Sequence, residues 1–136
     1  MDERRILSEE ELETVAGGAP SGGDMANWAQ NAYYSGWQFV WGGAQAGAVD
    51  ASGLIYSLVG GGFRTTEDMY ANAPEKGPIS SLPDTPGLGL YMPGLVGVYV
   101  GGGMCICALN ENTGVTRMSV SAMPWSAWFR IPGVEY

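Results

Sequence analysis

Few residues in this 136-residue chain could carry covalent chemistry. Ser52 follows Asp50 and Ala51 at the start of a predicted helix, where its hydroxyl could attack a carbonyl only with a base beside it. Cys105 and Cys107 are the only thiols. Two apart on a strand, they point to one face, and a disulfide between such near neighbours would be strained. Two sulfurs alone do not make a zinc site, so the plain reading is two small buried hydrophobes. The chain has no histidine, and therefore no imidazole to act as base or metal ligand. Lys76 lies in a proline-rich loop and reads as solvated. No cation near the cysteines in sequence would lower a thiol pKa. The pattern argues against a hydrolytic centre and points to no metal or other cofactor.

Composition bounds what must position these residues. Hydrophobic residues make up 46% of the chain and charged residues 15%, enough apolar material for one domain with a core. The formal net charge is −8. Residues 1–18 hold six acids and two bases, and residues 19–136 hold eight acids and four bases, so each part contributes −4. Arg64, Lys76, Arg117 and Arg130 form no basic stripe, which excludes a phosphate-backbone partner. No apolar run is long enough to span a membrane. The 22 glycines fall in turn-like clusters rather than a repeat.

Within the N-terminal segment 1–18, residues 7–18 read as a short amphipathic helix ending in two glycines. Ser8 is a good N-cap, with Glu11 three residues on to complete a capping box. Leu7, Leu12 and Val15 supply the apolar positions. Gly17 and Gly18 leave a backbone without side chains, which a narrow protease cleft would select. This stretch resembles the double-glycine leader of bacteriocins. The resemblance implies recognition by a peptidase-containing ABC transporter, cleavage between Gly18 and Ala19, and secretion of a precursor made in the cytoplasm. The segment lacks the apolar core of a secretory signal peptide. Residues 19–23 then read as a flexible linker.

In the body, Asp24 is expected to cap a helix running to about Tyr34. Phe39 to Trp41 reads as a loop on the core, and Ala44 to Val49 as small and flexible. Asp50 caps a second helix from Ala51 to about Val59, ended by glycines. A weaker third helix spans Thr66 to Ala73, stopped by Pro74. From Leu88 the period changes to strands at 88–92, 95–100, 104–109 and 115–120. Residues 125–129 read as a turn of helix or an edge, and Arg130-Ile131 as a last short strand. Helices first and an antiparallel meander after give an α+β class, with residues 24–136 as one domain.

Three segments, in this order and spacing, resemble the NlpC-type superfamily of papain-like cell-wall peptidases. They are Phe39-Val40-Trp41-Gly42-Gly43, Asp50-Ala51-Ser52-Gly53-Leu54, and Gly94 to Gly101. The resemblance implies the papain-like NlpC fold and a groove that takes peptidoglycan stem peptides. Carried over position by position, Ala51 stands where the family has its cysteine nucleophile and Leu95 where it has its histidine base. Phe39 replaces a supporting tyrosine, and Cys107 falls at the residue that orients the histidine. Each departure removes a polar or reactive group. The expected function is that of a secreted pseudoenzyme, bacteriocin-like or a decoy. It would hold a peptide or cell-wall fragment in a groove formed by Phe39, Trp41, Asp50, Ala51, Ser52 and Leu95. The alternative is an active or modified cargo: a cell-wall hydrolase using relocated residues such as Ser52, or a post-translationally modified bacteriocin precursor.

Overall fold

Helix α1 (Gly22–Tyr34) starts three residues earlier than Asp24 as cap would dictate. In this computed structural model, which describes residues 19–136, Ser21 is the N-cap and Asp24 is the third helical residue. The Ser21 hydroxyl accepts from the Asp24 amide at 3.0 Å, and the Asp24 carboxylate accepts from the Ser21 amide at 2.9 Å. Two otherwise orphaned donors are thus satisfied reciprocally, which Asp24 as cap would not achieve. The expected linker at 19–23 is corrected by the same observation. Gly22 and Gly23 are helical, and Pro20 is hydrogen-bonded to Glu135. The leader positions Leu7, Ser8, Glu11, Leu12, Val15, Gly17 and Gly18 lie outside the described residues.

Three short strands follow: β1 (Gln38–Phe39), β2 (Ala44–Gln45) and β3 (Ala48–Val49). They form a small sheet in the order β1-β3-β2, so residues 44–49 make a tight hairpin rather than a flexible stretch. Helix α2 (Ala51–Val59) follows at once, capped by Asp50 and closed by Gly60 at φ 64°. Helix α3 (Thr66–Ala71) is capped by Thr65 and stops at Asn72, short of the expected Ala73.

Six further strands make the main sheet: β4 (Lys76–Pro78), β5 (Gly89–Met92), β6 (Leu95–Gly101), β7 (Met104–Asn110), β8 (Gly114–Ser119) and β9 (Ala127–Phe129). Their spatial order is β4-β9-β5-β6-β7-β8. The β5 to β8 meander follows the sequence pattern. Strand β9 does not, because it lies inside the sheet, antiparallel to both β4 and β5. All three of its residues are buried, so no alternation marked it as a strand. Arg130-Ile131 forms no strand, although the Arg130 amide still donates to the Glu75 carbonyl at 2.8 Å.

Both faces of the sheet are covered. Val96, Val98, Ile106 and Ala108 face a core shared with Met25 and Ala29 of α1 and Leu54 and Ile55 of α2. Cys105 and Cys107 lie with Leu88, Leu90, Trp125 and Trp128 in a second core on the opposite side. The strand period of two produces this division. Small residues along α1, at Ala26, Ala29 and Ala32, let its backbone come close. No helix among the described residues is long and apolar enough to cross a membrane.

Candidate functional site

The first turn of α2 is tied to the loop before it by a cluster of hydrogen bonds. Asp50 accepts from the Gly53 amide at 2.7 Å through one carboxylate oxygen. Its other oxygen takes the Gly42 amide and the Arg64 guanidinium, both at 3.0 Å. The Gly43 carbonyl accepts from the Asp50 amide at 2.9 Å and from Arg64 at 3.2 Å. Gly53 is glycine for a steric reason: a Cβ there would run into the Gly43 carbonyl and sit 2.8 Å from the Asp50 carboxylate. The loop before α2 is thereby joined to the helix start.

Ser52 is buried, and its hydroxyl accepts from Arg64 at 2.8 Å and approaches Asp50 at 3.4 Å. A guanidinium is a permanent donor and does not take a proton. The Asp50 carboxylate is already occupied by two amides and Arg64. The Ser52 hydroxyl is therefore fixed between a guanidinium and a carboxylate. Sequence reasoning missed Arg64, because nothing local signals that a residue past the Gly60–Gly62 break folds back on the helix start.

Ala51 and Phe39 belong to the helix-side core, 9% and 8% exposed. Leu95 is half-buried and packs against that core and also against the second one, which holds Cys107. Phe39 and Ala51 thus share one apolar core, Leu95 packs at its margin, and Cys107 lies in the core on the opposite side of the sheet. Trp41 stands apart, 76% exposed, with its ring edge-on to Phe39 at 5.0 Å between centroids. A pocket of about 390 Å³ lies at the other end of α2, lined by Ile55, Val59, Phe63, Met69 and Ile131 with Ala19 and Pro20. None of the predicted groove residues lines it.

A second unforeseen residue holds the turn that leads into Leu95. Glu67 of α3 accepts the Tyr91 hydroxyl at 2.5 Å and the Gly94 amide at 2.9 Å. The Tyr91 bond chiefly, then the Gly94 amide, holds the Glu67 carboxyl below its ordinary value. Tyr70 stacks on Tyr91 at 3.9 Å between centroids. The contribution of Glu67 is present while it is ionised and is lost as pH falls through its depressed folded pKa. Glu67→Ala is expected to speed hydrogen exchange at the Gly94 amide at neutral pH and to leave its rate at strongly acid pH close to that of the native chain. Unchanged protection at neutral pH would mean that the turn holds itself.

Burial pushes the thiols up, to about 11 for Cys105 and about 12 for Cys107. Below the ordinary thiol pKa neither the folded nor the unfolded chain ionises there. Above it, the unfolded chain releases protons that the folded one retains, so stability falls as pH rises. Neither thiol is expected to react with a disulfide reagent in the native protein at pH 8, and both are expected to react in denaturant. Titration of either thiol in the folded chain would contradict the packing of the second core.

No protein-family model matches the chain, and no curated protein matches it. Solved structures do. NlpC2 from Trichomonas vaginalis superposes with a TM-score of 0.67 at 22% identity over 84% of this chain. This chain covers 47% of that protein's chain, less than half of it. The NlpC/p60 domain of the peptidoglycan hydrolase SagA gives a TM-score of 0.62 at 23% identity, covering 82% of this chain and 99% of that one. The peptidoglycan hydrolase RipB from Mycobacterium tuberculosis gives 0.61 at 23% identity, covering 93% and 79%. At these identities the likeness is one of fold. The chain has the NlpC/p60, papain-like α+β architecture, with helices packed on an antiparallel sheet.

Proposed function

We propose that this chain is a secreted pseudoenzyme built on the NlpC/p60 fold. It binds a peptide or cell-wall fragment beside Phe39, Trp41 and Leu95 and does not hydrolyse it. The reading is supported by Ala51, where the resemblance puts the nucleophile, being buried in the apolar core, and by Leu95, where it puts the base, packing half-buried against that core. A methyl and an isobutyl group supply neither an attacking atom nor a proton acceptor. Loss of one member of such a centre already removes several powers of ten in rate. The Arg64–Ser52 bond speaks against relocation to the neighbouring hydroxyl. The exposed Trp41 ring offers a flat apolar face on which a sugar or peptide could stack. Secretion rests on the pattern of residues 1–18, with a peptidase-containing ABC transporter as partner and Gly18 as the last residue removed.

The test takes two measurements. The domain beginning at Ala19 is mixed with insoluble peptidoglycan and with muropeptides. Retention above that of an unrelated acidic protein, with no new amine released from the muropeptides, is the expected result. Release of stem-peptide fragments that disappears in a Ser52→Ala variant would replace this reading with an active hydrolase.

A further inference from the structure

The residues that follow the proposed cleavage point are not free. The Pro20 carbonyl accepts from the Glu135 amide, and the Gly22 amide donates to the Glu135 carbonyl, both at 2.8 Å. Ser21 lies between them, paired in parallel with Glu135 and locked in the capping box with Asp24. The Tyr136 ring closes over this point, since a Cβ on Gly22 would meet it at 2.8 Å. Its hydroxyl donates to the Gly87 carbonyl at 2.7 Å and accepts from the Ile131 amide at 3.0 Å. Ala19 is exposed, but the chain is held from the next residue onward.

We infer that the pairing of residues 20–22 with Glu135 is a strap that closes the Gly18–Ala19 bond to processing once the body has folded. The inference rests on the proposed removal of residues 1–18. A peptidase holds its substrate extended on both sides of the scissile bond, and two glycines before that bond suit a narrow cleft. Drawing Pro20 to Gly22 into such a cleft breaks both backbone bonds to Glu135 and the capping box. Cleavage then follows the small population in which the strap is open, a local event that does not require global unfolding. The device favours removal of the leader from a chain that has not yet closed, which is the form a transporter can thread.

The experiment uses the full chain and the isolated peptidase domain of a transporter that processes double-glycine leaders, with cleavage after Gly18 followed by mass spectrometry. A variant with five Gly and Ser residues inserted between Ala19 and Pro20 keeps Ala19 after the scissile bond and leaves the strap intact. The native chain is expected to be cut at least about tenfold more slowly than this spacer variant. Tyr136→Phe removes both hydroxyl bonds and is expected to speed cleavage of the native chain but not of the spacer variant. Equal rates for native chain and spacer variant would overturn the strap and leave the leader reading standing. Acceleration by Tyr136→Phe in both backgrounds, or in neither, would also overturn it. A spacer variant that is not cut at all would remove the leader reading, and the strap inference with it.

Discussion

Gly53→Ala is expected to destabilise the folded domain severely. The added methyl would run into the Gly43 carbonyl and press on the Asp50 carboxylate. Neither neighbour can yield cheaply. The Gly43 carbonyl already accepts the Asp50 amide and the Arg64 guanidinium, and the Asp50 carboxylate holds the Gly42 and Gly53 amides. Relief means parting the loop from α2 and leaving several part-buried polar groups without their partners. The expected loss is about 4 kcal/mol or more, a large share of the 5–15 kcal/mol typical of a domain. Urea unfolding followed by tryptophan fluorescence measures it. Gly62→Ala is the control, because a Cβ there meets nothing within 4 Å and no positive φ is required. It is expected to change stability by no more than about 0.5 kcal/mol. A Gly53→Ala protein as stable as the Gly62→Ala one would show that the loop and the helix start are not joined as described.

The second large effect is a gain. Ala51→Cys is expected to place a thiol at the first position of α2, where the helix N-terminus favours the thiolate. Leu95→His is expected to bring an imidazole to the same apolar cluster. If positions 51 and 95 face one another, the two groups titrate as a pair. The introduced thiol in the double variant should then be alkylated by iodoacetamide with an apparent pKa about one unit or more below that in Ala51→Cys alone. Muropeptide hydrolysis should rise by about a hundredfold or more over the native chain, the range of a positioned acid–base group. Identical alkylation profiles in the single and double variants would mean that the two positions do not share a groove. Restored thiol activation without turnover would place the fault elsewhere in the proposed site, with Phe39 and the buried Cys107, at the positions the resemblance gives to supporting and orienting groups, as the next residues to replace.

How much of the site could be read beforehand depended on how far its parts lie apart. The Asp50 cap and the Ala51–Val59 helix were legible because capping, helix length and a glycine stop are all local. The role of Ser52 was not. Its partner Arg64 stands twelve residues away, beyond a glycine break. Glu67 was invisible for the same reason, since it meets Tyr91 and Gly94 at separations of 24 and 27 residues. The misplaced start of α1 is instructive, because Ser21 and Asp24 both satisfy the rules for a cap. The choice falls on Ser21 because Pro20 and Gly22 are anchored by Glu135, from the opposite end of the described residues. Strand β9 escaped notice because a strand buried on both faces carries no period of two.

Taken alone, the amino-acid order determined the absence of any imidazole, the apolar residues at 51 and 95, the cap and glycine stop of α2, and the β5 to β8 meander. These follow from residue chemistry and short-range periodicity, which act without reference to distant partners. Tertiary structure decided the rest: β9 inside the sheet, Arg64 over Ser52, Glu67 under the turn before Leu95, and residues 20–22 bound to Glu135. Each of these joins groups that approach only when the sheet closes. Their free energy comes from pairing donors and acceptors across the fold, a requirement that no stretch of sequence carries by itself.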